Sequence, residues 1–139
     1  MAALSTGQTG AIGTKDLAAL TTAQIGAITT ADVAALTTTQ VASLTTAQVG
    51  ALSTDQVAAL STAQIAALGS AQIAGLQTAD VAALSTAQID AISTTALAGL
   101  STADLSGLTS AQANSLTTAQ EAALTSSQLA AVIQAYENN

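Results

Sequence analysis

The chain repeats itself every eight residues, and this period restricts its fold more than any other feature does. Sixteen octets follow one another without a gap over residues 4–131. Position 1 of the octet is always Leu or Ile, and position 3 is always Thr or Ser. Position 5 is Gln or Asp except at Ala96, and position 6 is Ile, Val or Leu except at Thr9, Ala113 and Glu121. A period of this kind indicates a repeat architecture.

One continuous helix does not suit a period of eight. At about 100° per residue, eight residues advance the pattern roughly 80° beyond two full turns. The Leu stripe would therefore spiral around the helix and present no fixed apolar face. A strand fits poorly as well, because alternation leaves neither face cleanly apolar and Ala is a weak strand former. The stretches AQIAAL and ADLSGL resemble pentapeptide-repeat coils, so a β-solenoid stays open as the alternative, although that family has a period of five.

The octet carries signals for a short helix that begins and ends within it. Position 2, usually Ser or Thr, is the predicted N-cap, whose oxygen accepts from the N–H of position 5 while Gln or Asp at position 5 reaches back. The aliphatic residue at position 1 is placed to pack on position 6 as a hydrophobic staple. Where position 2 is Gly13, Gly69 or Gln77, position 3 is the candidate cap. Ala and Gly at positions 7 and 8 permit close helix approach, and position 4 is predicted to face water.

Helices of about six residues are unstable alone in water, so these must be stabilised by stacking on one another. The sequence therefore predicts an all-α solenoid, a superhelix of short helices with one helix per octet, as a single repeat domain over residues 1–139. We expect two octets in each coil. The tail VIQAYENN, residues 132–139, breaks the pattern, contains the only aromatic residue and ends polar, so it is predicted to be a C-terminal cap. The start, MAAL, has no comparable cap.

The charge balance excludes several kinds of partner. Eight carboxylates stand against one basic residue, Lys15, and the formal net charge is −7. Nucleic-acid binding requires Lys and Arg to displace counterions from phosphates, so nucleic acid is not an expected partner.

Ser, Thr and Gln interrupt every apolar run, so membrane insertion is not expected either. There is no visible signal peptide. A weakly charged surface rich in Thr and Ser, with no Cys, favours an extracellular or cell-surface location.

Residues able to perform chemistry are scarce. The chain has no His and no Cys, which removes the most common general base and the thiolate metal ligands. Asp16, Asp32, Asp80 and Asp104 occupy position 5, where a helix N-terminus favours a carboxylate; their spacing is irregular and matches no calcium-binding loop. The many hydroxyls have no base to activate them and are expected to cap helices. We therefore predict no catalytic residue, no cofactor and no metal, and hence no enzyme.

The octet L-[ST]-T-A-[QD]-[IV]-A-A resembles the short tandem repeats, of the LTTAQVAAL kind, in very large bacterial surface and exported proteins. Such proteins are often described as adhesins or as heme-utilisation or adhesion exoproteins. The resemblance covers residues 4–131 and implies an extended stalk or another cell-surface role. Heme binding is not carried over, because the chain has no His, no Cys and a single Met at its start.

These observations lead to two hypotheses about function. The first is a structural repeat protein, either a cell-surface stalk or adhesin segment or a self-assembling fibre subunit. Its partners would be further copies of itself, by end-to-end or lateral contacts, or another surface protein. The second is a module that binds ice, a glycan or a protein through its regular array of Thr and Ser.

Overall fold

The computed structural model describes residues 6–137. Residues 1–5 and 138–139 lie outside the description, and with them Leu4 and Ser5 of the first octet and the last two residues of the predicted cap. The described residues form short helices: α1 (Thr6–Gly10), α2 (Thr14–Ala18), α3 (Thr22–Gly26), α4 (Thr30–Ala35), α5 (Thr38–Ala42), α6 (Thr46–Gly50), α7 (Thr54–Ala58), α8 (Thr62–Ala66), α9 (Ser70–Ile73), α10 (Thr78–Ala83), α11 (Thr86–Ala91), α12 (Thr94–Leu97), α13 (Thr102–Ser106), α14 (Ser110–Ser115), α15 (Thr118–Ala122) and α16 (Ser126–Glu137). No strand occurs between residues 6 and 137. The predicted all-α solenoid with one helix per octet is confirmed, and the β-solenoid alternative is wrong.

Each helix begins where the capping signal predicts. In α3 the hydroxyl of Thr21 accepts from the N–H of Gln24, and the side chain of Gln24 accepts from the N–H of Thr21. The prediction that position 3 becomes the cap when position 2 lacks a hydroxyl is wrong. Gly69 and Gln77 are still N-caps, without a side-chain cap bond. Position 5 still accepts from the cap N–H in both octets, which holds the helix start in place.

The predicted two octets per coil is also wrong. Each helix packs on the helix three octets away, as α1 does on α4 and α6 does on α9. Hydrogen bonds between coils join residues separated by 23 to 31 positions, which is about three to four octets. The reason lies in the junctions. Two octets per coil would require the chain to reverse direction after every helix, whereas the chain, which is extended at junctions such as Leu36–Thr37, packs on itself only after three octets.

One continuous core runs along the array. It is built from the position-1 and position-6 aliphatics, which include Leu36, Leu60, Ile65 and Leu68 in the middle octets. Position 4 is exposed, as at Ala63, so the predicted division into inward and outward positions is confirmed. Burying two aliphatic side chains per octet contributes roughly 3–5 kcal/mol.

Small residues at positions 7 and 8 allow neighbouring coils to touch through their backbones, as predicted. A Cβ added at Gly75 would lie 2.6 Å from the carbonyl oxygen of Thr46, three octets earlier. A Cβ added at Gly99 would meet the carbonyl oxygen of Ser70 in the same way. At these two positions a larger side chain would push the coils apart.

The last helix departs from the octet pattern. The helix α16 has 12 residues and packs against α13 and α14. Its inner side buries Ala131, Val132 and Ala135. Its outer side leaves Leu129, Ile133 and Tyr136 exposed by 36%, 51% and 54%.

Candidate functional site

The glutamine at position 5 is the most repeated polar feature of the interior. Gln64 is 2% exposed and uses both ends of its amide. Its Oε1 accepts from the N–H of Ser61 at 2.7 Å, within its own octet. Its Nε2 donates to the carbonyl oxygens of Val33 at 2.9 Å and Leu36 at 2.7 Å, in the preceding coil. One side chain therefore joins the start of one helix to the end of another.

The same arrangement recurs along the array, and we call it the glutamine ladder. Its members all donate from Nε2 to the carbonyl 28 residues earlier: Gln40, Gln48, Gln56, Gln64, Gln72, Gln88, Gln112, Gln120 and Gln128. The nitrogen–oxygen distances are 2.5–2.8 Å. Because Oε1 faces an N–H and Nε2 faces a carbonyl, the orientation of each amide is unambiguous. The ladder therefore bonds each of these octets to the coil before it.

The ladder satisfies backbone carbonyls that the break in the helix at each octet leaves without an intrahelical donor. Each helix is broken at position 1, so the carbonyl of a residue such as Leu36 lies between two helices. Leu36 is buried, and a buried carbonyl without a donor costs about 1–3 kcal/mol. Gln64 supplies that donor from the next coil. Interruption of the helix and stacking of the coils are thus coupled through one side chain.

Sequence reasoning predicted only half of this role. It assigned Gln at position 5 to the capping box and missed its bond to the preceding coil. The sequence did contain a signal of this second role. Gln and Glu both serve in a capping box, so capping alone would allow Glu at position 5, yet no octet has Glu there. Only the amide has the N–H groups that a carbonyl requires.

The four aspartates at position 5 have no N–H to donate and cannot join the ladder. Two of them instead accept from hydroxyls of the preceding coil. Asp32 accepts from Thr9 at 3.1 Å, and Asp104 accepts from Thr78 at 2.7 Å. Asp16, in the second octet, is exposed. Their helix N-terminal positions agree with the structural interpretation made from the sequence.

Asp80 is the exception among them. Burial raises the pKa of its carboxyl above the usual 3.8, an effect partly opposed by the hydrogen bond from the N–H of Gln77. The side chain of Gln77 donates to the carbonyl of Gly50, 30 residues before Asp80. The ladder glutamines at position 5 also donate to the carbonyl 30 residues before them, as Gln64 does to Ala34. Gln77, the one glutamine at position 2, thus replaces part of the bond that Asp80 cannot make.

A groove opens beside the last helix, where the octet pattern fails. Position 6 is Ala113 in the fourteenth octet and Glu121 in the fifteenth, so two core aliphatics are missing there. The groove has a volume of about 340 Å³. Its lining consists of Ala113, Asn114, Glu121, Leu129, Val132, Ile133, Tyr136 and Glu137. We call it the C-terminal groove; it is apolar with two carboxylates at its edges.

The described residues hold neither a cluster of metal ligands nor a helix that could span a membrane. Among residues 6–137, no three His, Cys, Asp or Glu side chains come together as a group that could hold a metal ion. In the same part of the chain, every helix is too short or too polar to cross a membrane. The absence of enzymatic activity and the lack of nucleic-acid partners stay predictions.

Comparison with known protein families identifies the repeat. The family model described as the ALTTAQ repeat matches residues 9–46, 25–62, 46–78, 58–86 and 73–104. Together these segments extend without a gap from residue 9 to residue 104, well over half of the chain. The chain belongs to the ALTTAQ repeat family. The Q in ALTTAQ is the residue that forms the glutamine ladder, and the two Thr include the helix cap.

No curated protein and no solved structure matches this ALTTAQ array. The family assignment therefore rests on the match between the repeat and the family model. The adhesin-like parent proteins suggested by the sequence stay a hypothesis.

Proposed function

We propose that this ALTTAQ array is a structural repeat protein, a stiff solenoid that serves as a stalk or spacer at a bacterial cell surface or as a fibre subunit. The observation that carries this proposal is the glutamine ladder. It connects each coil to the one before it with the same geometry along the array, as at Gln40 and again at Gln128. Residues at the most regular buried polar position are therefore used to hold coils in a stack.

Two properties of the stack support stiffness. The core is continuous, so bending the axis would open apolar contacts between coils. The ladder bonds are short and buried, and bending would lengthen those on the outer side of the bend. Solenoids of this kind gain stability from each neighbour interface, so their length can be extended by adding repeats.

Composition supports a location outside the cell. The outward positions 2, 3 and 4 carry mainly Thr, Ser and Ala, and Lys15 is the only basic residue. Such a surface offers trypsin-like proteases almost no cleavage site. The resemblance of the octet to repeats of bacterial surface proteins favours the same location.

Small-angle X-ray scattering of a lengthened array tests the structural proposal. Duplicating residues 36–91 adds seven octets in register. A stiff rod predicts an unchanged cross-sectional radius and a maximum dimension that grows in proportion to the octets added. The control inserts a Gly-Ser linker of equal length at the same point. The stiff solenoid would be contradicted if the maximum dimension of the duplicated array were no larger than that of a compact domain of the same chain length. It would also be contradicted if the duplicated array were as flexible as the control.

The surface location has its own test. Intact bacteria expressing the parent gene would be treated with an antibody against the array before and after permeabilisation. Labelling of intact cells is the expected result. Labelling that requires permeabilisation would overturn the cell-surface part of the proposal and leave the stiff solenoid untouched.

A surface-binding module is the second candidate. It is favoured by the exposure of position-2 and position-3 hydroxyls in successive octets, as at Thr37, Thr38, Thr45 and Thr46. With between three and four octets per coil, these hydroxyls follow the superhelix around the molecule instead of forming one flat column, so we rank this candidate second. Thermal hysteresis and glycan-array binding test it, and positive binding abolished by Thr38→Val with Thr46→Val would promote it.

A further inference from the structure

The glutamine ladder has a gap in the middle of the array. Between residues 40 and 128, position 5 is Gln in nine octets and another residue in three. The three exceptions fall within four successive octets and are Asp80, Ala96 and Asp104, with Gln88 among them as the remaining member. Because a carboxylate and a methyl group have no N–H, these three residues cannot donate to the carbonyls of the preceding coil. The ladder therefore joins this coil to its predecessor through Gln88.

The gap separates the ladder bonds into two sets. Every ladder glutamine up to Gln72 donates to carbonyls that come before residue 45. Every one from Gln112 onward donates to carbonyls between residues 81 and 100. Gln88 is the ladder member that donates across the boundary between residues 76 and 77, to Ala58 at 3.2 Å and to Leu60 at 2.7 Å. The coils on each side are thus held together by their own set of ladder bonds.

Other boundaries in the array are crossed by more ladder members. Between residues 44 and 45 the crossing members are Gln48, Gln56, Gln64 and Gln72. Between residues 100 and 101 the crossing members are Gln112, Gln120 and Gln128. Of these three boundaries, the one after residue 76 can be parted with the loss of the fewest ladder bonds.

The replacements for the missing amides restore part of the connection. Gln77 donates across the boundary to the carbonyl of Gly50, but this bond is 3.3 Å long and exposed, so water competes for both groups. In the octet of Ala96, Gly99 lets the backbones of the two coils touch at Ser70, which adds contact without a hydrogen bond from position 5. The apolar core continues across the boundary, so the coils are closed on each other in the native array. This interface therefore relies on apolar contact more than its neighbours do.

In a solenoid each repeat contacts only its neighbours, so the stability of the array depends on each interface separately. We propose that residues 6–76 and 77–137 are two cooperative units, joined by a seam that parts before the other coil interfaces when the array opens. Opening at the seam leaves folded coils on either side, held by their own ladder bonds. The inference goes beyond the proposed structural role, because an array without a seam could serve equally as a stalk or fibre subunit.

The composition of the two units sets the order in which they unfold. The later unit has Ala113 and Glu121 at position 6, where the other octets of the core place an aliphatic side chain. Two missing aliphatics lower the apolar burial that stabilises its coils. Residues 77–137 should therefore unfold first, while residues 6–76 stay folded.

Pulsed hydrogen–deuterium exchange of the full chain in increasing urea tests the seam. Peptic fragments from each unit are weighed by mass spectrometry, so the unfolding midpoint of each side is measured in the same molecules. In the wild type, fragments from residues 77–137 should become labelled at a midpoint at least about 0.5 M urea below that of fragments from residues 6–76. A population labelled on the later side and protected on the earlier side is the expected intermediate.

Restoring the ladder should remove the intermediate. The combined variant Asp80→Gln, Ala96→Gln and Asp104→Gln supplies the three missing amides, and its two midpoints should coincide. The matched control places the same three glutamines one position earlier in the same octets, as Ala79→Gln, Thr95→Gln and Ala103→Gln. Those positions are exposed, so the control should keep the two midpoints apart.

Two single substitutions provide a second test that does not depend on the restored variant folding. Gln88→Ala removes the ladder amide that crosses the seam and should lower the midpoint of residues 77–137 while leaving that of residues 6–76 unchanged. Gln48→Ala, whose bonds lie within the earlier unit, should lower the midpoint of residues 6–76. In a single cooperative array, each substitution would lower one common midpoint.

Three results would overturn the inference. The first is a wild type whose fragments all share one midpoint, and the second is a division at a boundary far from residue 76. The third is a folded restored variant whose two midpoints stay as far apart as those of its control. Scattering of the lengthened array in the absence of urea tests stiffness separately, so the seam and the stiff solenoid can fail independently.

Discussion

Replacing Gln64 by Glu tests the glutamine ladder with the smallest change of shape. In Gln64→Glu one carboxylate oxygen can still accept from the N–H of Ser61, which lies 2.7 Å from Oε1 in the native chain. The other oxygen replaces Nε2 and faces the carbonyl oxygens of Val33 and Leu36, which lie 2.9 and 2.7 Å from it. Two donor–acceptor pairs thus become contacts between acceptors, in a site where Gln64 is 2% exposed.

The expected cost follows from that geometry. A buried polar group that loses its partner costs about 1–3 kcal/mol, and more if a charge is involved. Because a carboxylate is buried and two carbonyls lose their donor, we expect Gln64→Glu to lower the free energy of unfolding by about 3 kcal/mol at pH 7, at the upper end of that range. The capping bond is retained, so the loss would be attributable to contact between coils.

The pH dependence gives the same prediction a second readout. Burial and the facing carbonyls raise the pKa of the introduced carboxyl above its value in the unfolded chain, about 4.3. The folded state then holds the proton more tightly, so stability falls as pH rises from the unfolded pKa to the folded one. At pH 3 the protonated carboxyl donates to one carbonyl, and the deficit relative to the wild type should be smaller than at pH 7.

Urea unfolding followed by far-UV circular dichroism measures both effects. Wild type, Gln64→Glu and the control Ala63→Glu would be compared at pH 3 and pH 7. The control adds the same charge at an exposed neighbouring position, so it should unfold within about 0.5 kcal/mol of the wild type. If Gln64→Glu matched Ala63→Glu at pH 7, the bonds between coils would contribute nothing and the reasoning would be refuted.

Three further substitutions test other parts of the account by the same unfolding assay. Ala96→Gln should raise the free energy of unfolding by about 1 kcal/mol, because it restores a ladder member where Ala96 cannot cap or donate; a loss of stability would show that the amide does not fit. Asp80→Gln should stabilise the chain at pH 7, since burial raises the pKa of Asp80 and penalises its charged form, and the gain should shrink at pH 3, below the unfolded pKa; a gain independent of pH would contradict this. Gly99→Ala should cost about 1–3 kcal/mol because its Cβ would meet the carbonyl of Ser70; Gly69→Ala, with 3.9 Å to its nearest neighbour, should cost only about 0.5 kcal/mol, because Ala is a poorer N-cap than Gly, and equal losses would argue against close coil contact.

The local structure of the octet was predictable because its causes are local. The hydroxyl at position 2 and the amide at position 5 lie three residues apart, so their reciprocal bonds follow from spacing alone, as at Thr21 and Gln24. The division into buried and exposed positions follows from which residues are aliphatic. The error at Gly69 and Gln77 arose because the side chain at position 5 still accepts from the cap N–H and holds the helix start where the cap side chain makes no capping bond.

The number of octets per coil was not predictable, and the reason is the repeat itself. In a chain with a period of eight, residues 16, 24 or 32 positions apart have nearly the same environment in the sequence. Nothing therefore distinguishes one stacking offset from another until the junction geometry is known. The bonds of Gln64 to residues 28 and 31 positions earlier select the offset, and they depend on the angle between successive helices.

The C-terminal groove was only partly predictable. The departures at Ala113 and Glu121 are visible as breaks in the pattern. The pattern alone places Leu129 in the core, because it occupies position 6, yet its side chain is 36% exposed. The missing aliphatics at the two preceding position-6 sites deprive it of neighbours, and that consequence requires the stacking order.

Coils of three to four octets are joined by the position-5 amides. The most direct measurement is a nuclear Overhauser experiment on a sample in which the side-chain amide of Gln64 is selectively labelled. We expect cross-peaks from its Nε2 protons to residues 33–37, in the preceding coil. Cross-peaks to residues about 16 positions away, or to no residue outside its own octet, would contradict it.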